Sequence, residues 1–392
     1  MKDAEMLYAA ARRHFDETVR IRRDIHRHPE TGFDVERTAE LVATAMGTLG
    51  LAVRRNVGRT GVTADLDVPG ARRRIALRAD MDALAMQEQT DVPFRSVNDG
   101  RAHMCGHDVH TAALIGTARL LCDLKEDLAA GIRFIFQPNE ENLPGGALSM
   151  IEDGALEGVD EIYGLHVLPA LAAGTFGLRR GAFLGQPDSF EITIRGKGGH
   201  GAMPHYTVDP LYVGALFVTA VQAIVARNTD PFTPAVVSVT QFHAGTSDNI
   251  IPAEVAIVGT VRTLDKEVQQ AIRGRLEAIL AGITSANGAD YELTYTEGYP
   301  VTRNHDRCVD KALAAAHALV GEERVVCPYP AVLGGEDFGY YGQRVPSCFA
   351  FIGCGNPERG IVEMCHHPGF DVDEDCILHA MAYFAALVTG DT

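Results

Sequence analysis

Through RRHFDETVRIRRDIHRHPE the apolar positions return about every three to four residues, the spacing of one helix face, and Pro29 with Gly32 ends the run. VERTAELVATAMGTLG repeats that pattern up to Gly50. The period then changes. GVTADLDV, RRRIALRAD, GIRFIFQ, EIYGLHV and, far downstream, SCFAFIG are apolar runs of strand length, with helical patterns such as TAALIGTARLLCDL and GALSMIEDGAL between several of them. Strands apolar on both faces, alternating with helices, predict an α/β fold built on a mainly parallel, helix-covered sheet.

Around Gln186 the grammar shifts to alternating, half-exposed strands. FEITIRGKG, the helix DPLYVGALFVTAVQAIVA, the strands PAVVSVTQFHAG and AEVAIVGTVRT, the helix EVQQAIRGRLEAILAGITSA and the strand YELTYTEG read as β-α-β-β-α-β. That is a ferredoxin-like α+β unit. Helical patterns resume in DKALAAAHALVG and CILHAMAYFAALV. The expected organisation is one catalytic domain in two parts, 1–185 and 299–392, interrupted by an inserted domain at 186–298.

A length of 392 residues agrees with two domains, and 46% hydrophobic residues suffice for a large core. The formal charge of 35 − 52 = −17, without any basic run, argues against nucleic-acid partners and anionic membrane surfaces. No run approaches the length of a membrane span, and the charged N-terminal segment lacks the pattern of a signal peptide. Eight cysteines without the dense spacing of a disulfide framework predict reduced thiols in a cytoplasmic protein.

Chemistry collects where strands end. RRRIALRAD runs into Asp80 and Asp82, GIRFIFQPN into Glu140 and Glu141, EIYGLHV carries His166, and SCFAFIG precedes a loop with His366 and His367. Ligands of open α/β sheets bind at such carboxyl ends. In MCGHDVH, Cys105 and His107 would diverge on a helix but can grip one ion from an extended loop, with Gly106 allowing close approach. Alone, the stretch is equally a buried thiol beside surface histidines. A redox pair lacks a resolving cysteine nearby in the sequence. Together with Glu140-Glu141, His166 and His366 it points to a metal, and this donor mixture suits zinc, manganese, cobalt or nickel. Of two adjacent carboxylates on an extended segment, one can ligate while the other serves as general base.

The runs RRDIHRHPETGF, LRADMDALAMQEQT, HMCGHDVHTA, FQPNEEN, GLHVLP, GKGGHGAMPH, DNIIP, GTVRT, GGEDFGYY and HHPGFDVDED occur in order across nearly the whole chain. They resemble the aminoacylase/carboxypeptidase metallopeptidases, specifically the hippurate hydrolase and indole-acetyl-amino-acid hydrolase branch of N-acyl-amino-acid amidohydrolases. The resemblance implies two divalent metal ions per subunit, with Cys105, His107, Glu141, His166 and His366 as ligands and Glu140 as catalytic base. His366 is preferred to His367 because the ligand stands two residues before the proline. Asp82 matches an aspartate that orients a metal-side group, with Asp80 as the alternative. In the inserted domain, a lid and dimerisation unit by resemblance, His200 would stabilise the oxyanion, often in a partner subunit's site. Asn249 and Arg262 would hold the substrate's carbonyl and carboxylate. Asn139, where alanine is usual, Ala85, where proline is usual, and Ser247-Asp248 depart from the pattern and bear on substrate preference.

Other residues have plainer readings. His26 and His28 fit a helix end or a supporting role, His103 and His110 can orient ligands, His205 can shape the insertion's edge, and Arg262 can be a strand-face ion-pair partner. The implied reaction cleaves an N-acyl amino acid, of hippurate, N-acetyl or indole-acetyl type, into a carboxylic acid and a free amino acid. Closure of the insertion is expected to gate turnover, and a homodimer or higher homo-oligomer is implied. Alternatives are a dipeptidase or carboxypeptidase, or an N-acetyl-diaminopimelate deacetylase, of the same family. A cysteine hydrolase using Cys105, or a binding module without catalysis, leaves Glu140 or the remaining histidines without a purpose.

Overall fold

Asp3 opens the first helix, α1 (Ala4–Arg27), by accepting Glu5 N–H, and the stripe Leu7, Ala10, Ala11, Thr18, Arg22, Ile25 and His26 is buried. This computed structural model describes residues 3–389. Next come α2 (Glu36–Thr48), β1 (Ala52–Val57), β2 (Gly61–Leu66), β3 (Arg74–Asp80) and α3 (His107–Asp123). They are followed by β4 (Gly131–Gln137), α4 (Ala147–Glu152), β5 (Glu161–Ala172), β6 (Phe176–Gly177) and β7 (Gly181–Leu184). The chain forms two compact units. One comprises the chain up to Phe183, Thr302–Pro330 and the chain from Asp337; the other is Leu184–Val301 with Ala331–Glu336.

The second unit contains β8 (Gln186–Arg195), β9 (Gly199–His200), α5 (Pro210–Asn228), β10 (Ala235–Ala244), β11 (Ile250–Ile251), β12 (Glu254–Thr263), α6 (Lys266–Asn287) and β13 (Asp290–Thr296). Its antiparallel sheet runs β10-β12-β8-β13, the expected β-α-β-β-α-β arrangement. Phe190, Ile192, Phe217, Val221, Ile257 and Leu276 are among its buried core. Asp188 ties the unit together, accepting from Gln186, Gln269, the Tyr295 hydroxyl and Gly298 N–H. One expectation is corrected here. Over an 18-residue window α5 has a mean hydropathy of 1.5, apolar and long enough by composition to cross a membrane. Its inner face packs on this sheet while Leu211 and Tyr212 stay exposed, so both faces carry apolar residues.

The first unit resumes with β14 (Thr302–Asn304), α7 (Asp306–Val320), β15 (Val325–Val326), α8 (Gly339–Gly342), β16 (Ser347–Gly355) and α9 (Asp375–Thr389). Its eight strands run β1-β2-β4-β3-β5-β16-β6-β15. The central four, β4-β3-β5-β16, are parallel, while β1 and β2 pair antiparallel to their neighbours and β6 antiparallel to β16 but parallel to β15, so the sheet is mixed. β4 and β16 are buried throughout, which explains their unbroken apolar runs. Helix α3 packs on β3 and against α1 and α9, and is buried nearly all round. Because the central strands are parallel, Asp80 pairs with Gln137 and His166 with Phe351 at one edge. Residues following these strands therefore share one end of the sheet.

Candidate metal centre

The local turn at Gly106 makes the site. Gly106 adopts φ 89° immediately before α3, so Cys105 lies in the loop and His107 is the first helical residue. The helix starts four residues before the predicted TAALIGTARLLCDL, and a left-handed turn, rather than an extended loop, brings the two donors together. Met104 O accepts His366 N–H at 2.7 Å, which draws in the loop after β16. His366 itself sits at φ 69° and aims Nε2 at Glu141 Oε1, 3.3 Å away.

Among the sets of donors whose ligating atoms lie within 4.8 Å of one another are Cys105, His107 and His166; Cys105, Glu141 and His366; and His107, Glu140 and Glu141. The five proposed ligands and the proposed base thus lie together in the first unit. Glu140 and Glu141 both face His107 Nε2, at 4.0 and 3.7 Å, instead of pointing to opposite sides. Asp82 explains this. Its carboxylate accepts Glu140 N–H at 2.9 Å and Glu141 N–H at 3.1 Å, gathering the loop, and its carbonyl accepts His107 Nδ1–H at 2.8 Å.

Asp80 has a different task. Its Oδ2 accepts from Arg78, and its Oδ1 accepts from His110 Nδ1 at 2.6 Å. His110 Nε2 then accepts Val167 N–H at 3.0 Å, next to His166. His166 donates Nδ1–H to Val167 O at 2.7 Å, leaving Nε2 as its ligating nitrogen, 3.3 Å from Cys105 Sγ. Behind these groups Asp337 accepts from Arg78, Gln137 and Ala147 N–H. His110, read from sequence as able to orient ligands, stands beside His166, whereas Arg78 and Asp337 hold the site without having been assigned roles from sequence; Asp337 lies within the quoted GGEDFGYY run. His26 joins Asp108 and Glu88 in a buried network, and His28 donates to Asp24 O at the end of α1.

The electrostatics suit a cation. His107 Nε2 and Glu141 Oε1 are buried without a hydrogen-bond partner among the described residues. A lone pair fixed by Nδ1–H donation, facing carboxylates beyond hydrogen-bond reach, fits a metal ion between them. Burial opposes charge on His107, but Asp80, Asp82 and Glu141 outweigh it and raise its pKa. Burial, aided by His110 and His107, pushes His166 down to about 3, the neutral form that ligates.

The remaining predicted residues belong to the second unit. His200 in β9 pairs with Ile250, and Gly201 N–H donates to Asn249 O at 2.8 Å, so His200 and Asn249 are neighbours. Ala202 N–H donates to His200 Nδ1, which leaves the ring proton on Nε2. The Asn249 side-chain oxygen accepts from Ser247 at 2.8 Å. Arg262 in β12 is half-buried and donates to Asp188 O, Val261 O and the Thr260 hydroxyl.

A Cys/His/Glu cluster of this composition, at the carboxyl edge of an α/β sheet, defines a hydrolase of the metallopeptidase class. Residues 76–390 match peptidase family M20/M25/M40, and the chain belongs to that family. It is an amidohydrolase by that membership. An N-acyl-L-amino acid amidohydrolase of Geobacillus stearothermophilus is 45% identical over 73% of this chain and 77% of its own length. A hippurate hydrolase of Campylobacter jejuni is 37% identical over 94% of each. The solved structure of Bacillus subtilis YXEP, described as a dinuclear metal-binding peptidase, aligns with TM-score 0.84 and 35% identity, covering 96% of this chain and 98% of that one.

Proposed function

We propose that this protein hydrolyses the amide bond of N-acyl amino acids at a centre for two divalent cations, drawn from manganese, zinc, cobalt and nickel. The observation that carries this reading is the pair of donor sets, Cys105-His107-His166 and Cys105-Glu141-His366, which share one thiol and have Glu140 beside them. Cations in such a set supply Lewis acidity and a more acidic water. Glu140 takes a proton from the attacking water and returns it to the leaving nitrogen. Asp82 holds that carboxylate's backbone in place. His200, with its proton on Nε2, is assigned to the oxyanion, Asn249 to the acyl carbonyl and Arg262 to the amino acid's carboxylate. The named activities of the amidohydrolase and hippurate hydrolase relatives support this substrate class.

The second unit is proposed as a dimerisation domain. β10 is an edge strand, and beside it Val218, Val239 and Phe242 help line an apolar groove of about 530 Å³. A second copy adding its own β10 would satisfy the edge and cover the groove. The acidic charge and free thiols support a cytoplasmic setting.

The test is release of free amino acid from benzoyl, acetyl and indole-acetyl amino acids, dipeptides and N-acetyl-diaminopimelate. Protein stripped of metal is compared with protein given manganese, zinc, cobalt or nickel. Glu140→Gln is expected to bind metal while losing about 100-fold or more in rate. Hydrolysis that persists after stripping, or in Glu140→Gln, would overturn the mechanism and favour the Cys105–His166 pair as nucleophile and base.

A further inference from the structure

The cysteine that sequence spacing fails to supply is brought in by the fold. Cys365 precedes His366 in the loop after β16. The His366 N–H to Met104 O bond clamps the peptide ending in Cys365 against the peptide leading into Cys105. That clamp brings the two cysteines to one place in the fold. Both also rest on the same dipeptide, with Cys105 Sγ 3.3 Å from His166 Nε2 and Cys365 Sγ 3.9 Å from Val167 O. Cys105 is buried, whereas Cys365 is half-buried beside an exposed His366. Both are free thiols, and the proposed hydrolysis gives Cys365 no task.

We propose that Cys105 and Cys365 are a reversible modification site at which a hydroperoxide closes a disulfide, withdrawing Cys105 from the metal centre. The disulfide stands on the geometry of the thiols alone; its consequence for metal binding rests on the hydrolase reading above. Cys365, the more accessible thiol, reacts first as its thiolate. Its sulfur bonds to one peroxide oxygen, the O–O bond breaks, and the other oxygen leaves as alcohol or water after taking a proton. Cys105 sulfur then attacks the sulfenic sulfur, the S–O bond breaks and water leaves. In sum, two thiols lose two electrons and two protons, and the hydroperoxide is reduced to an alcohol and water. A dithiol reverses the change by exchange through a mixed disulfide. Cys105 engaged by a cation is not available as the second nucleophile, so metal loading slows closure.

The experiment treats the full-length protein, metal-stripped and manganese-loaded, with hydrogen peroxide. Non-reducing peptide mapping and intact mass follow the thiols, and calorimetry follows manganese binding. A cross-linked Cys105–Cys365 peptide is expected, with a mass loss of two hydrogens, formed faster in stripped protein. Manganese binding should be lost with it and return after dithiothreitol. Cys365→Ser and Cys365→Ala should show no reductant-reversible loss. Oxygen adducts without a cross-link, a cross-link between other cysteines, or manganese binding that survives complete cross-linking would each overturn the proposal. The mapping needs no variant to fold. If no N-acyl amino acid is hydrolysed but the cross-link forms and displaces manganese, the substrate reading falls and this one stands.

Discussion

At the scale of single residues, Gly106 and Asp82 decide the geometry of the centre. A methyl group on Gly106 would meet Val167 Cγ2 at 2.3 Å, on a backbone at φ 89° that side chains rarely adopt. The backbone strain remains wherever the Val167 side chain turns, and it falls in the turn between two proposed ligands. Gly106→Ala is therefore expected to lower stability by about 2 kcal/mol or more and to weaken manganese binding. Urea unfolding and calorimetric titration check this, and wild-type values in both would refute the role given to the turn. The departure at position 139 has a backbone reason of the same kind. Asn139 holds φ 54° and donates to Asn142 O, a conformation asparagine tolerates better than alanine. Which aspartate serves the site was not legible from LRADMDAL. The two residues lie two apart, and only the folded contacts show that Asp82 gathers the glutamate amides while Asp80 answers to Arg78 and His110.

At the scale of elements, period and strand ends carried most of the information. Apolar runs such as GIRFIFQ and SCFAFIG announce strands buried on both faces, and the donors that follow them mark the catalytic edge before any contact is known. Partners far apart in the chain were not legible. Asp337 reaching Arg78, or Cys365 reaching Cys105, follows from which strands lie side by side, and no spacing rule encodes that. The start of α3 was misplaced because Gly106 and two histidines look like loop, while the left-handed turn actually launches the helix. The same scale holds a test of assembly. Phe242 is 38% exposed on the edge strand β10, so Phe242→Glu would set a charge into the apolar groove beside α5. Sedimentation should show this variant shifted to monomer with the first unit's manganese binding intact. An unchanged oligomer would remove β10 from the interface.

For the molecule as a whole, acid sensitivity has an identifiable contributor well separated in sequence from the proposed ligands. His379 in α9 meets the Tyr8 hydroxyl at 2.7 Å, and burial lowers its pKa below 6.5 despite Asp375. The folded state thus prefers the neutral ring. Its contribution to stability is present above the ordinary histidine value and is lost as pH falls from there towards the lowered one. Wild-type protein should lose stability between about pH 7.5 and 5.5, and His379→Gln should flatten that decline. Parallel slopes from denaturant titrations across this range would exclude His379 as the source.

The position of β16 between β5 and β6 has a consequence for biosynthesis. Ala172 and Phe176 are almost adjacent in the chain, yet the sheet leaves a gap between their strands for a segment that begins only at Ser347. While the ribosome is still making everything in between, the edge of β5 that β16 will cover has no partner strand. A chain halted before that segment exposes a ready template for another strand, so interrupted synthesis yields a product prone to aggregate.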